Sequence, residues 1–369
     1  VGDIFVFDLE SGRAAGRIDL DGETGGKKFE DSYTGEIVIT RDGATIYIVD
    51  QANFRLARVD TQTGRVVESI PTGRYPFGVC LSPDEKTVYV ANAGMFEYSA
   101  VQGIDPQDSS TWLDFPPFGF GTREMREGVT IGKLTVPGLG EINTPESFSV
   151  WAFDVSQPGS ARATAKIKTG VRVGEMAEGI PAVGGSSPNS LAATEDRVYV
   201  TNGNNDSISV IDAKTFQVIS TIPLRLCDEL KHLRGHIPFG LVLSPDGRRL
   251  YVAEAGINAI AVIDTKTEKL IGRIPTAWFP TKARVSPDGQ TLYVANGKGF
   301  GAGPNGGRDF QLGPGGTGVG ELMKGVIQII PVPNDDELKK GLRRVVDNTV
   351  KIETVAVDEN APDRNPIPP

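Results

Sequence analysis

The chain has 369 residues, with 45 Gly, 25 Pro and a formal charge of −9. That length admits one large domain with a substantial core, and the Gly and Pro content suits many short strands joined by tight turns. The acidic balance argues against gripping nucleic-acid phosphates, and no run of about 18 apolar residues is present to span a membrane.

From the N-terminus, residues 4–8 and 15–20 read as two strands followed by a polar connection at 21–32. A repeating grammar then covers about 36–71, 77–168, 189–223, 238–275 and 281–356. It is clearest in the fourth unit. Pro238 to Leu243 is a first strand, Ser244-Pro245-Asp246-Gly247 a turn, and Arg248 to Ala253 a second strand. Ala259 to Asp264 and Lys269 to Ile274 complete the unit. The second strands carry near copies of one tetrapeptide: Tyr47-Ile48-Val49-Asp50, Tyr89-Val90-Ala91-Asn92, Tyr199-Val200-Thr201-Asn202, Tyr251-Val252-Ala253-Glu254 and Tyr293-Val294-Ala295-Asn296. Tyr47 and Tyr89, like Tyr251 and Tyr293, lie about 40 residues apart, the period of a propeller blade. The fold class is therefore all-β, a β-propeller of four-stranded antiparallel blades. Five full blades and half of another are legible, in residues 1–333 with the last outer strand following at about 349–356. The half has only a third and fourth strand. An open ring leaves an uncovered sheet face, so the expectation is a longer protein, with about one and a half blades upstream for a ring of seven.

Aspartates end the third strands at Asp8, Asp60, Asp154, Asp212 and Asp264, each followed by a polar turn containing Ser or Thr. An aspartate there accepts backbone N–H bonds, so these carboxylates read as structural. The polar residues ending the second strands read the same way.

Three segments depart from the repeat. An insertion at 93–147 carries Trp112, Phe115, Phe118 and Phe120, a density of aromatics that suits docking a partner or covering the propeller face. A glycine-rich stretch at 297–320 lacks the Lys-Ser/Thr of a phosphate loop and reads as a connection between strands. In the innermost strand of the last unit, Arg284 aligns with Val38, Cys80, Ala192 and Val242, and Lys282 with Glu36, Gly78, Ser190 and Gly240. Cations beside a channel need partners. Either they pair with Glu36 or a neighbouring blade, or they form an anion site at the channel mouth with Arg74, Tyr75, His236 and Trp278.

Residues 232–236 read His-Leu-Arg-Gly-His, but Gly235 and Pro238 favour a loop and no acidic third ligand follows, so no metal is expected. No catalytic residues and no cofactor are assigned. Cys80 reads as a buried thiol, and Cys227 lies in a long loop. Residues 334–347 read as a helix with Asn334 as N-cap, acids in its first turn and cations in its last. The segment 348–369 holds a last outer strand at about 349–356 and then a Pro-rich, linker-like tail.

The Ser-Pro-Asp-Gly, Tyr-Val-Ala-Asn, Val-Ile-Asp and Ile-Pro-Thr units resemble the YVTN-repeat, YncE-like β-propellers over most of residues 1–331. A narrower resemblance rests on Asn92 to Ser99, Pro137 to Gly140, Pro145 to Trp151, Gly184 to Asn189, Val252 to Val262 and Ile274 to Pro280. These segments are similar to bacterial two-part proteins in which such a propeller precedes an alkaline-phosphatase-superfamily phosphoesterase domain. The resemblance implies an exported protein, periplasmic or on the cell surface, whose metal-dependent phosphoesterase residues lie beyond Pro369. The aromatic insertion and the open ring point to a noncatalytic propeller that binds or scaffolds, either as the accessory domain of a phosphoesterase-type protein or as a subunit of a larger assembly, its partner a protein or a covalently linked second domain. A small anionic ligand in the channel is a further expectation. A propeller enzyme of lactonase or quinoprotein type is the alternative. Nucleic-acid binding is disfavoured by the charge and by the lack of a basic aromatic stripe.

Overall fold

The computed structural model describes residues 2–97, 105, 107, 122–228, 230–231, 233–299 and 323–350. A half-blade comes first, β1 (Asp3–Phe7) paired with β2 (Ala14–Asp19). A hairpin of β3 (Gly22–Thr24) and β4 (Lys27–Phe29) follows. The first four-stranded blade is β5 (Thr34–Ile39), β6 (Thr45–Asp50), β7 (Arg55–Asp60) and β8 (Arg65–Pro71). The second opens with β9 (Pro76–Leu81) and β10 (Thr87–Asn92). The described part of its insertion holds helix α1 (Arg123–Glu127) and a hairpin of β11 (Gly128–Ile131) and β12 (Leu134–Pro137). The blade resumes with β13 (Ser149–Asp154) and β14 (Arg162–Lys168). A small hairpin, β15 (Met176–Ala177) with β16 (Ile180–Pro181), leads into the third blade. That blade is β17 (Pro188–Ala193), β18 (Arg197–Asn202), β19 (Ser207–Asp212) and β20 (Val218–Pro223). The fourth is β21 (Pro238–Leu243), β22 (Arg249–Glu254), β23 (Ala259–Asp264) and β24 (Lys269–Pro275). The fifth shows three described strands, β25 (Trp278–Val285), β26 (Thr291–Gly299) and β27 (Val326–Pro331), before helix α2 (Asp335–Thr349).

The inner strands β5, β9, β17, β21 and β25 touch in sequence around an axis, which makes the assembly a β-propeller. Because side chains alternate across each strand, both faces of a blade are buried against neighbours. Tyr47 and Val49 of the first blade pack on Val79, Val88 and Val90 of the second. Ile46 and Ile48 point the other way, onto Ile4 and Ile18 of the half-blade.

Every turn aspartate singled out in the sequence accepts the expected bonds. Thr63, Thr215 and Thr267 each donate a backbone N–H at 2.7 Å to Asp60, Asp212 and Asp264, and Ser11 and Ser156 do the same for Asp8 and Asp154. These bonds hold all five carboxyls below their ordinary value of 3.8. A depressed folded-state pKa means stability that is complete above the unfolded value and lost as pH falls through the folded one. In thermal melts taken between about pH 6 and pH 3 this contribution is therefore expected to be lost below pH 3.8, and Asp212→Asn with Asp264→Asn to flatten that part of the fall.

The structure corrects several expectations. The polar connection at 21–32 holds a hairpin that the sequence did not signal, and it places Phe29 against the Arg55 guanidinium, 3.7 Å from the ring centroid. Arg55 is buried, ion-pairs with Asp50 at 2.8 Å and donates to Leu20 O, so the hairpin covers a charge that water cannot reach. The helix begins as expected, with Asn334 and Glu337 forming a reciprocal capping box, but it runs on to Thr349 and its last turn carries no cation. Lys339, Lys340, Arg343 and Arg344 sit in its middle. Its end is fixed by packing instead: Leu338 is buried with Ile274 and Leu292, and Val345 with Leu226 and Ile257. Gly341 lies against β24, where a Cβ would stand 2.1 Å from Arg273 O. Thr349 thus closes the helix, with Val350 as its C-cap, rather than opening an outer strand, and residues 351–356 of that expected strand lie outside the described residues. Cys80 keeps some exposed surface, but its thiol is buried enough that desolvation pushes its pKa up; Cys80 and Cys227 are both free thiols.

Candidate functional site

The five inner strands converge on a cavity of about 330 Å³ lined by Glu36, Ile37, Phe77, Asn189, Ser190, Phe239, Gly240, Thr281, Lys282 and Arg284. Register confirms the alignment drawn from the turns. Arg284 pairs across the ladder with Tyr293 as Val38, Cys80, Ala192 and Val242 pair with Tyr47, Tyr89, Tyr199 and Tyr251. The inner strands approach too closely for side chains at every position. A Cβ on Gly240 would stand 2.4 Å from Thr281 O, and one on Gly78 would stand 2.5 Å from Asn189 O.

Lys282 reaches across the channel. It forms an ion pair with Glu36 of the first blade and donates to Ser190 Oγ of the third at 2.8 Å. Burial pulls its pKa down, the Glu36 carboxylate pushes back up, and Arg284 adds to the lowering. Arg284 stands further off, 3.8 Å from Glu36, with 58% of its side chain exposed. Two cations thus share one carboxylate among the lining residues. Phe77 and Phe239 form the apolar wall, edge to face at 5.5 Å, with Tyr75 6.3 Å from Phe77. A second cavity of about 420 Å³ continues along the channel past Arg41, Cys80 and Val242 and shares Glu36, Ile37 and Arg284 with the first.

Of the residues expected at the channel mouth, Lys282 and Arg284 line the cavity and Tyr75 adjoins its aromatic wall. The other three serve elsewhere. Arg74 is buried and donates to Met95 O and Glu141 O, tying the insertion to its blade. His236 is buried with Nδ1 2.9 Å from Glu254 Oε1, and Glu254 is in turn held by Arg273 at 2.6 Å. Trp278 is 48% exposed, beside the C-terminal end of α2 in a groove with Val345 and Thr349. Trp112, Phe115, Phe118, Phe120, His232 and residues 300–320 of the glycine-rich stretch lie outside the described residues. Phe77 and Phe239 were not singled out by the sequence reading. Their signal is the repeated Pro-Phe-Gly at 76–78 and 238–240, where the glycine allows close approach and the preceding side chain faces the axis.

A second feature lies at the two ends of the arc. On β1, Phe5 and Phe7 are 62% and 58% exposed. Ile37 and Ile39 pair with Ile48 and Ile46, so they share the face that the half-blade covers only further out, and both are exposed. On the fifth blade, Ile329 pairs with Tyr293 and Ile327 with Ala295, which places one apolar face opposite to the buried Leu292 and Val294. Ile327 and Ile329 are each 69% exposed. Among the described residues nothing covers either face, and no helix is long and apolar enough to cross a membrane.

No family model matches the chain. The seven-bladed β-propeller protein Rv1057 of Mycobacterium tuberculosis is 29% identical over 352 residues, spanning 79% of this chain and 84% of that protein. An uncharacterised protein, YncE, of Salmonella typhimurium is 22% identical over 287 residues, 64% of this chain and 73% of that protein. The hydrazine synthase subunit beta of Kuenenia stuttgartiensis is 25% identical over 115 residues; the match spans 25% of this chain and 29% of the length of that protein.

Proposed function

We propose that this chain is a noncatalytic β-propeller that works as a binding or scaffolding module and is completed by further blade-type sheet. The observation that carries this reading is the pair of uncovered apolar faces, Phe5, Phe7, Ile37 and Ile39 at one end of the arc and Tyr293, Ile327 and Ile329 at the other. Exposed apolar sheet of this kind marks an interaction surface. A sheet seeking an apolar face with strand edges on either side fits another blade better than any small ligand. The seven-bladed relative supports a missing blade and a half, and the relative named as an enzyme subunit supports a place in a larger assembly. The sequence segments shared with two-part phosphoesterases support the finer form of the reading: an accessory domain of an exported, periplasmic or cell-surface protein. An enzyme at the channel mouth is less well supported, because Glu36, the carboxylate lining the cavity, is taken up by Lys282.

Ile327→Lys with Ile329→Lys in the native protein tests it. Exposed substitutions ordinarily change stability by less than about 0.5 kcal/mol. If these side chains are covered in the native protein, the double substitution lowers the native mass where the closing sheet is another chain, or the melting temperature where it is the same chain. Unchanged mass and melting temperature would contradict the reading.

A further inference from the structure

The channel cavity carries an inference of its own, drawn from the side chains that line it. Its charge does not balance. Glu36 is matched by Lys282, which also has Ser190, yet Arg284 adds a second cation, which meets a carboxylate 3.8 Å away and the carbonyl of the preceding Ala283. The four other blades place Val38, Cys80, Ala192 and Val242 at the Arg284 position, so blade packing does not require a guanidinium there. One lysine suffices to neutralise Glu36. Ser190 Oγ accepts from both Lys282 Nζ and Leu241 N, which leaves its own hydrogen to donate. The edge-to-face rings of Phe77 and Phe239 line the same cavity and supply a surface with no polar atom.

We propose that this cavity binds a small organic monoanion with a flat apolar body, its carboxylate on Arg284 and Lys282 and its hydrocarbon against Phe77 and Phe239. The dimensions set the class. At about 330 Å³ this part of the channel is at the lower limit of ligand pockets and large enough for a six-membered ring with a carboxylate. Glu36 sets the charge: in the same cavity it repels a dianion, whereas a single carboxylate is met by the surplus cation. The Arg284 fork suits a carboxylate because both oxygens are engaged in one plane.

The test uses the full native chain and benzoate as probe, titrated by calorimetry. Saturable binding at about 1 mM or tighter is expected, the range of a single charge-assisted anchor with a small apolar contact. Arg284→Gln, at a site already 58% exposed, should leave the melting temperature unchanged and weaken benzoate by about tenfold or more. Phe239→Leu should weaken it less, and benzyl alcohol, of the same body without the charge, should not bind. Absence of benzoate binding, binding undiminished by Arg284→Gln, or inorganic phosphate binding as tightly as benzoate would each overturn the proposal.

Discussion

Arg273→Met is expected to lower the unfolding free energy by about 3–5 kcal/mol, the cost of leaving a buried charge without its partner. Arg273 and Glu254 are both fully enclosed, joined through Nε at 2.6 Å and Nη2 at 2.9 Å. The same guanidinium donates to the carbonyls of Leu226 and Arg225, so it also pins the loop that carries His236. Burial alone would raise the Glu254 pKa, but Arg273 and then His236 hold it below its usual value. Without the arginine that support goes and the carboxyl must either stay charged in an apolar place or take up a proton. The loss in Arg273→Met should therefore shrink as pH falls, because protonation removes the uncompensated charge. Three of the other blades show how the site is built without ions: Asn92, Asn202 and Asn296 stand where Glu254 stands, whereas the first blade has Asp50 there, paired with Arg55. Glu254→Asn combined with Arg273→Thr is expected to lose less than Arg273→Met alone. Denaturant titration of the three variants at two pH values checks each point.

Gly240→Val is expected to cost about 1–3 kcal/mol by overpacking and to disturb the channel at the same time. Its Cβ would sit 2.4 Å from Thr281 O and 2.6 Å from Lys282 Cδ, and the first of these is backbone that cannot rotate away. β21 would have to part from β25, and Lys282 would lose the position from which it reaches Glu36 and Ser190. A melt of this variant should show the loss of stability. A parallel substitution at Gly247, where nothing lies within 4 Å but φ is +70°, should cost only backbone strain.

The blades were legible because each strand's pattern is local. The tyrosines, the Ser-Pro-Asp-Gly turns and the third-strand aspartates lie within a few residues of the bonds they make, so reading along the chain found them and even set the cross-strand register of Arg284. What escaped lies between partners distant in sequence. Phe29 and Arg55 are linked only through a short hairpin that looked like polar connection. His236, Glu254 and Arg273 come from three elements, and each alone resembles a surface residue. His236 in particular sits in a pre-strand loop that, in sequence, resembles the channel-mouth positions, but its ring turns inward because a buried carboxylate is there to receive it. The end of α2 escaped for a similar reason: packing of Val345 on Leu226 and Ile257, not charge in the last turn, extends the helix. The aromatic wall of the channel was written in the paired Pro-Phe-Gly motifs, but what those phenylalanines face depends on how blades close around an axis.

The central claim is that the ends of this arc are covered in the native protein. Hydroxyl-radical footprinting of that protein, read at Phe5, Phe7 and Tyr293 against free peptides, tests it most directly. The account predicts strong protection of all three rings, although in residues 1–369 alone Phe5 and Phe7 are more than half exposed. Labelling at the rate their exposure in this chain implies would show that the faces are open to water and would contradict a ring completed by further sheet.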